Sequence, residues 1–195
     1  MQGKNKRADK SIPAGVYIGL FIVPFLWGQT FILTKGLVRD YPVFSVTGLR
    51  HLIALLGFVP YAKKLKKLKK KMLFGGFLTG ACNFFAIVLQ TFGLKSTTSG
   101  KAGFITSLYI ILIPVFLWMF FGRKIQKKVI IAVIISGFGL AILMLNPENS
   151  PYPNSKPIFA KGDLLIAGSA VLFAFQLIFT EKFVKLKTKN PNQES

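Results

Sequence analysis

Acidic residues, cysteine and histidine are scarce in this chain of 195 residues. It has six Asp and Glu residues, one cysteine and one histidine, against 26 Lys and Arg residues. The single Cys82 cannot form an internal disulfide, and we interpret it as a small apolar packing residue. The apolar segments contain no paired aspartates, no serine nucleophile motif and no metal-ligand spacing. We therefore predict that the chain is not an enzyme and has neither a metal site nor a cofactor.

Apolar residues dominate the composition. They make up 52% of the chain, the mean hydropathy is +0.51, and charged residues account for only 16%, below the roughly 25% of soluble proteins. Long apolar blocks alternate with short basic segments, which is typical of a multi-pass helical membrane protein. A net charge of +20 would indicate a nucleic-acid partner for a soluble protein. Because the lysines lie between the apolar blocks, we instead predict a lipid bilayer as the partner, and no nucleic acid.

Six apolar blocks are each about long enough to cross the ~30 Å hydrocarbon core of a bilayer. They are residues 12–34, 43–61, 73–94, 102–121, 129–145 and 163–181. If the amino terminus is cytoplasmic, 19 of the 26 basic residues lie on the inner side and six on the outer side. This asymmetry predicts a multi-pass protein of the cell membrane (inner or plasma) with both termini cytoplasmic. The first block is too long for a signal-peptide core, so we expect it to remain as a span.

Polar residues recur inside the predicted spans. In the third span, Asn83 and Gln90 are seven residues apart and share one helical stripe, and Tyr109 follows in the fourth. In the first span, Trp27 and Thr30 lie on a common face. Polar groups are costly in lipid, so these side chains are expected to face protein or water. Two interpretations stay open: hydrogen bonding between helices, or the lining of a solute pathway.

Arg50 and His51 are the most unusual residues of the second span. Arg50 is expected ~10 Å below the outer membrane edge, where an unpartnered charge costs at least a few kcal/mol. One interpretation is structural, with Asp40 or Asp163 near the outer surface neutralising it. In the other, Arg50 binds an anionic group of a solute, such as a carboxylate. His51 is either a hydrogen-bonded packing residue or a proton-linked group.

Two pairs of glycines are spaced four residues apart within predicted spans. They are Gly15 with Gly19, and Gly76 with Gly80. Small residues at this spacing are typical of membrane helices that approach each other closely, although the pattern is common. It predicts helix contacts at both pairs.

A short internal repeat relates the first and sixth spans. Residues 26–38 align without gaps on residues 172–184, with four identities in 13 positions, and Trp27 matches Phe173. The two spans are an odd number of crossings apart, so they run in opposite directions through the membrane. Inverted repeats of this kind are a common design of transporters, which bind the solute near the bilayer midplane between the two halves.

Several short motifs follow one another along the first five spans. They are Trp27-Gly28 and Lys35, Pro42 with Arg50, Gln90-Thr-Phe-Gly-Leu94, Ser96-Thr-Thr-Ser99, Ala102-Gly-Phe104, Pro114, and Gly137-Phe-Gly-Leu140. In this order, the chain resembles the EamA-type drug/metabolite transporter (DMT) superfamily over about residues 15–182. Members of that superfamily typically have ten spans, arranged as two inverted repeats of five. They move small metabolites, amino acids or drugs by alternating access.

The resemblance implies an all-α polytopic membrane bundle of six transmembrane helices: one five-helix EamA-like repeat and the first helix of an inverted second repeat. We accordingly divide the chain into a cytoplasmic amino-terminal segment, the five-helix repeat, an external loop, the first helix of the second repeat and a basic cytoplasmic tail. These are residues 1–11, 12–146, 147–162, 163–181 and 182–195.

The resemblance also implies a permease for a small organic metabolite, amino acid or drug-like solute, working by alternating access. The alternative is a truncated or non-transporting membrane subunit or fragment, because half of the expected cavity wall is absent. A homo-oligomer or a second-half polypeptide is therefore a candidate partner, besides the solute itself. The predicted pathway residues are Trp27, Thr30, Arg50, Asn83, Gln90 and Tyr109, with His51 as a candidate proton-linked group.

Overall fold

Helices form all the regular structure in the part of the chain that the structure describes. The structure is a computed structural model, and it describes residues 14–62, 70–122, 125, 127–145 and 161–189. In chain order its α-helices are Ala14–Asp40 (α1), Val43–Phe58 (α2), Lys70–Leu94 (α3), Ser99–Thr106 (α4), Leu108–Phe121 (α5), Lys127–Leu145 (α6) and Lys161–Lys189 (α7). A short 3₁₀ helix, Val59–Tyr61, extends α2. No strand occurs within these ranges, which confirms the predicted all-α class.

Five helical segments in the described ranges are long and apolar enough to cross a membrane. They are Gly15–Asp40, Val43–Tyr61, Lys70–Leu94, Ser99–Phe121 and Lys161–Val184. They coincide with five of the six predicted spans, and α6 lies at the remaining one. This confirms the predicted helical membrane bundle. The predicted segments at 1–11 and 190–195, and most of the predicted loop at 147–162, lie outside the described residues.

The fourth span is divided into α4 and α5 at Ser107. The hydroxyls of Thr106 and Ser107 donate to the carbonyl oxygens of Ala102 and Gly103, at 2.8 and 2.9 Å. Hydrogen bonds from Ser and Thr to the preceding turn bend helices. The N–H of Ile110 then donates to the carbonyl of Ser107, only three residues back, so the turn tightens before α5 continues.

Helix α7 is the most deeply packed of the spans that the structure describes. It runs antiparallel along α3, with Gly162 beside Gly93 at one end and Phe183 over Gly75 at the other. Helices α4 and α5 also pack against it. By contrast, α1 and α2 expose most of their large apolar side chains. Exposed faces of this kind suit helices that meet lipid or further helices.

The glycines in close contact are not those that the spacing predicted. A Cβ atom on any of the four predicted contact glycines would meet no neighbouring heavy atom within 4 Å; these are Gly15, Gly19, Gly76 and Gly80. That prediction is therefore wrong. The close approach occurs between α3 and α7 instead, where a Cβ on Gly93 would lie 2.7 Å from the carbonyl oxygen of Gly162.

Polar side chains connect the helices at the end of the bundle where α1 ends and α7 begins. Asp163, whose side chain is 1% exposed, forms an ion pair with Lys101, with 2.5 Å between Nζ and Oδ2. The hydroxyl of Thr97 donates to its other carboxylate oxygen at 2.6 Å. Nearby, Nζ of Lys35 donates to the carbonyl oxygen of Leu94 at the carboxyl end of α3. A lysine there complements the partial negative charge of the helix end. These contacts hold α1, α3, α4 and α7 in one arrangement.

Candidate solute site

Polar residues from several predicted spans converge on one cavity between α1, α2, α3 and α7. Its volume is about 280 Å³. It is lined by Trp27, Arg50, His51, Ala54, Asn83, Ile87, Gln90 and Phe173. Helical periodicity brings the lining residues of α3 together, because Asn83, Ile87 and Gln90 follow at spacings of four and three. We call this space the first cavity.

Arg50 supplies the positive charge of the first cavity. Its side chain is half-buried and forms no hydrogen bond or ion pair with any residue of the described ranges. Asp163 binds Lys101 and Thr97 instead, and Asp40 is exposed at the end of α1. The structure therefore contradicts the interpretation in which one of these two carboxylates neutralises Arg50.

His51 is held by the backbone of its own helix. Its Nδ1 lies 2.8 Å from the carbonyl oxygen of Thr47, and because a carbonyl only accepts, Nδ1 carries the proton. The ring also packs edge-on against Phe84, with 5.3 Å between the ring centroids. These contacts agree with the packing interpretation. The other ring nitrogen, Nε2, has no hydrogen-bond partner among the described residues, and His51 lines the first cavity.

A second cavity, of about 650 Å³, is lined by residues of α1, α4 and α5 and of the turn at Ser107. Trp27 lines both cavities, whereas Tyr109 lines the second and not the first. Thr30 lines neither, since its hydroxyl donates to the carbonyl oxygen of Trp27 at 2.7 Å. Four of the six predicted pathway residues therefore meet in the first cavity. They are Trp27, Arg50, Asn83 and Gln90.

Comparison with known proteins identifies the family to which this chain belongs. The EamA-like transporter family matches residues 14–145, which contain α1 to α6. The chain belongs to the EamA-like transporter family. The resemblance predicted from the order of the sequence motifs is thereby confirmed. With its membrane-length helices, this EamA-family chain is a multi-pass membrane protein.

Two curated relatives carry names that agree with this family. An uncharacterized transporter of Archaeoglobus fulgidus is 30% identical over 169 residues, which cover 87% of this chain and 50% of the relative. The uncharacterized transporter YetK of Bacillus subtilis is 26% identical over 162 residues, covering 80% of this chain and 48% of the relative. The EamA-family chain thus spans about half the length of these relatives. No solved structure matches it.

The site of this EamA-family chain includes residues that the sequence analysis did not select. Phe173 lines the first cavity and contacts the ring of Trp27, with 6.4 Å between centroids. The sequence did contain an indication of Phe173, because the internal repeat aligns this residue with Trp27. Ala54 and Ile87 are apolar, so polarity within a span could not single them out.

Proposed function

We propose that this chain forms part of the solute pathway of a membrane permease that carries a small organic solute by alternating access. One observation carries the proposal: polar side chains of α2 and α3 converge on one cavity, and not all of them have a hydrogen-bond partner among the described residues. The guanidinium of Arg50 and the amide of Asn83 have no hydrogen-bond partner among the described residues. Polar groups inside a membrane are costly and normally partnered, so unpartnered ones in a cavity are suited to bind a solute.

The chemistry of the lining favours a solute with a carboxylate or a similar anionic group. The planar guanidinium of Arg50 can bind a carboxylate through two parallel hydrogen bonds. None of the residues that line the first cavity is acidic, so no carboxylate of the described residues competes there. Trp27, Ile87 and Phe173 add an apolar wall for the rest of the molecule. A volume of about 280 Å³ suits a solute of the size of an amino acid or a small metabolite.

We further propose that a second, inverted set of helices completes the pathway. The two spans related by the internal repeat bury different faces. Ile178 is 4% exposed and its counterpart Ile32 is 58% exposed, whereas Val38 is 4% exposed and its counterpart Val184 is 58% exposed. Helices equivalent to α3, α4 and α5 would cover the open face of α1 as these helices cover α7. This favours a second-half polypeptide over a homo-oligomer, because the lysine asymmetry gives every copy the same orientation.

The proposed orientation has both termini in the cytoplasm and the loop after α3 outside. Its test replaces Lys66 or Lys95 with cysteine in a Cys82→Ser background and labels intact cells with a membrane-impermeant thiol reagent. We expect the cysteine at position 95 to be labelled directly, and the cysteine at position 66 only after permeabilisation. This follows from the concentration of lysine in inner segments. Labelling of both positions from one side would contradict the arrangement of spans.

Ligand screening of the purified protein tests the solute site. Amino acids and small carboxylates are added, and a rise in melting temperature identifies a ligand that binds the folded state. For such a ligand we expect Arg50→Gln to raise the dissociation constant about 10- to 100-fold, since a hydrogen bond to a charged group contributes about 1.5–3 kcal/mol. Arg39→Gln is the matched control, because Arg39 is exposed and lines neither cavity.

The same screen tests His51 as the proton-linked group. If His51 is that group, a pH dependence of the dissociation constant in the parent protein should be absent in His51→Gln. Unchanged affinity in Arg50→Gln would exclude Arg50 from the site. Binding without uptake by reconstituted vesicles would favour the non-transporting alternative for this chain alone.

A further inference from the structure

The two cavities adjoin at one group of aromatic rings. Trp27 borders both spaces, Phe173 borders the first and Tyr109 the second. The ring of Phe173 lies 6.4 Å from that of Trp27 and 6.2 Å from that of Tyr109, measured between centroids. These spacings are within the range of direct aromatic contact. The three rings therefore form a continuous layer where the cavities meet.

A hydrogen bond continues this layer beside the rings. Gln90 lines the first cavity and Thr106 lines the second. Nε2 of Gln90 donates to the hydroxyl oxygen of Thr106 at 2.9 Å, and both side chains are buried. A direct bond between residues of different cavities means that the wall there is only as thick as two side chains.

Burial distinguishes the ring that can move from the ring that is fixed. Phe173 is 3% exposed and is packed against Ala86 and Ile87 of α3. Trp27 is 43% exposed, although it touches Phe173. Trp27 borders two open spaces, into which its ring can turn, whereas rotation of the buried ring of Phe173 is opposed by its close-packed neighbours. Of the pair, Trp27 is the movable member.

The contact between Trp27 and Phe173 joins two residues that the internal repeat aligns with each other. Trp27 and Phe173 occupy equivalent positions in the gapless alignment of residues 26–38 with 172–184. Residues related by a two-fold rotation touch each other only near the rotation axis. A two-fold axis that relates α1 to α7 on this alignment would therefore pass close to this pair. In inverted-repeat transporters, that axis lies where the two halves meet and the solute crosses.

We infer that Trp27 is a movable barrier between the two cavities, and that turning its ring away joins them into one solute route. The inference deepens the permease function proposed above and rests on it for the identity of what crosses. The geometry of the barrier itself is independent of the solute. Phe173 and the Gln90–Thr106 hydrogen bond form the fixed frame against which the ring of Trp27 closes.

Cross-linking across the barrier tests this inference without requiring transport. In a Cys82→Ser background, Ala54→Cys places a thiol in the first cavity and Gly103→Cys places one in the second. A Cβ on Gly103 would meet no heavy atom within 4 Å, so this cysteine should be tolerated. Bifunctional thiol reagents of graded spacer length are applied to the full chain in vesicles, and the rate of linking is measured by proteolysis between the two positions.

Removal of the indole should increase that rate. If the open arrangement is about 10% populated or less, as minor states commonly are, Trp27→Ala should accelerate linking by about tenfold or more. Trp27→Phe retains a smaller ring and should give an intermediate rate. Trp118→Ala is the matched control, because Trp118 is exposed on α5 and lines neither cavity. Melting temperatures of all variants establish that they are folded.

Two results would overturn the inference. The first is linking in the parent protein as fast as in Trp27→Ala, which would mean that the indole obstructs nothing. The second is an equal acceleration in Trp27→Ala and Trp118→Ala, which would indicate general loosening. Either result leaves the solute site at Arg50 untouched, and absence of a ligand for Arg50 leaves the cross-linking result untouched. The two proposals therefore fail separately.

Discussion

Asp163→Asn is expected to lower the free energy of unfolding by about 3 kcal/mol, because breaking a buried ion pair leaves the partner charge uncompensated. Asp163 is 1% exposed and Lys101 is 15% exposed, so water cannot readily hydrate the Lys101 ammonium group once the carboxylate is lost. Asparagine keeps the shape and an oxygen that can accept from Thr97. The substitution therefore removes the charge and little else. Asp163 also lies in the first turn of α7, where a negative charge complements the helix dipole.

The measurement is thermal unfolding of the purified protein in detergent. For a chain of 150–250 residues, 1 kcal/mol corresponds to about 2–4 °C, so we expect a fall in melting temperature of about 6–12 °C. Asp40→Asn is the matched control: Asp40 is exposed at the end of α1, and its substitution should change stability by less than about 0.5 kcal/mol.

A double variant separates the ion pair from other effects of the substitution. In Lys101→Gln/Asp163→Asn the two amides can still form a hydrogen bond, and no unpaired charge is left. We expect the loss of unfolding free energy in the double variant to be clearly smaller than the sum of the losses in the two single variants. Coupled residues differ from additivity by about 0.5–3 kcal/mol. Simple additivity, or a melting temperature of Asp163→Asn equal to that of Asp40→Asn, would show that the pair does not stabilise this end of the bundle.

The polar residues predicted to line the pathway fall into two groups, those that line the first cavity and those that do not. Asn83, Gln90 and Arg50 do line the first cavity. Their long or amide-bearing side chains cannot be satisfied within their own helix, so the cost of lipid exposure directs them inward. Thr30 does not, because a hydroxyl can donate to a carbonyl of its own turn, as Thr30 does to Trp27. Polarity within a span thus predicts an inward position for amides and guanidinium groups better than for hydroxyls.

The positions of the helical spans were predictable for a related reason. A bilayer requires about 20 apolar residues for each crossing, and this local property can be read without knowledge of the neighbouring helices. Which helices touch is not local. The spacing of Gly76 and Gly80 predicted a contact, but the face of α3 that packs on α7 carries Gly75 and Gly93. The choice of face depends on the partner helix, and a single helix does not contain that information.

The ion pair illustrates the same limit for charged residues. Asp163 lies at the start of its span, so a position near the outer surface, within reach of Arg50, was expected. It is buried because Gly162 brings the first turn of α7 against the end of α3, where Thr97 and Lys101 begin the next segment. A close backbone approach therefore determines the surroundings of this carboxylate. That approach makes Gly162 the second position where a small change should have a large effect.

Gly162→Ala is expected to destabilise the protein by about 3 kcal/mol, at the upper end of the usual cost of overpacking. A Cβ at this position would approach the carbonyl oxygen of Gly93 far more closely than 3.0 Å, and Oγ of Ser96 at 2.6 Å. Oγ of Ser96 can rotate away, but the backbone oxygen of Gly93 cannot. The ends of α3 and α7 must therefore separate, which loosens the contact between Leu94 and Ile166 in the buried core.

Gly80→Ala is the matched control, and we expect its effect on stability to differ in sign from that of Gly162→Ala. Gly80 lies in the interior of α3, and a Cβ there would meet nothing within 4 Å. Alanine favours a helix interior over glycine by about 0.5–1 kcal/mol, so this variant should be as stable as the parent or slightly more stable. Gly162→Ala should melt about 6–12 °C below the parent. Equal melting temperatures for the two variants would show that α3 and α7 do not meet through glycine at this point. The burial of Asp163, which depends on that contact, would then need another explanation.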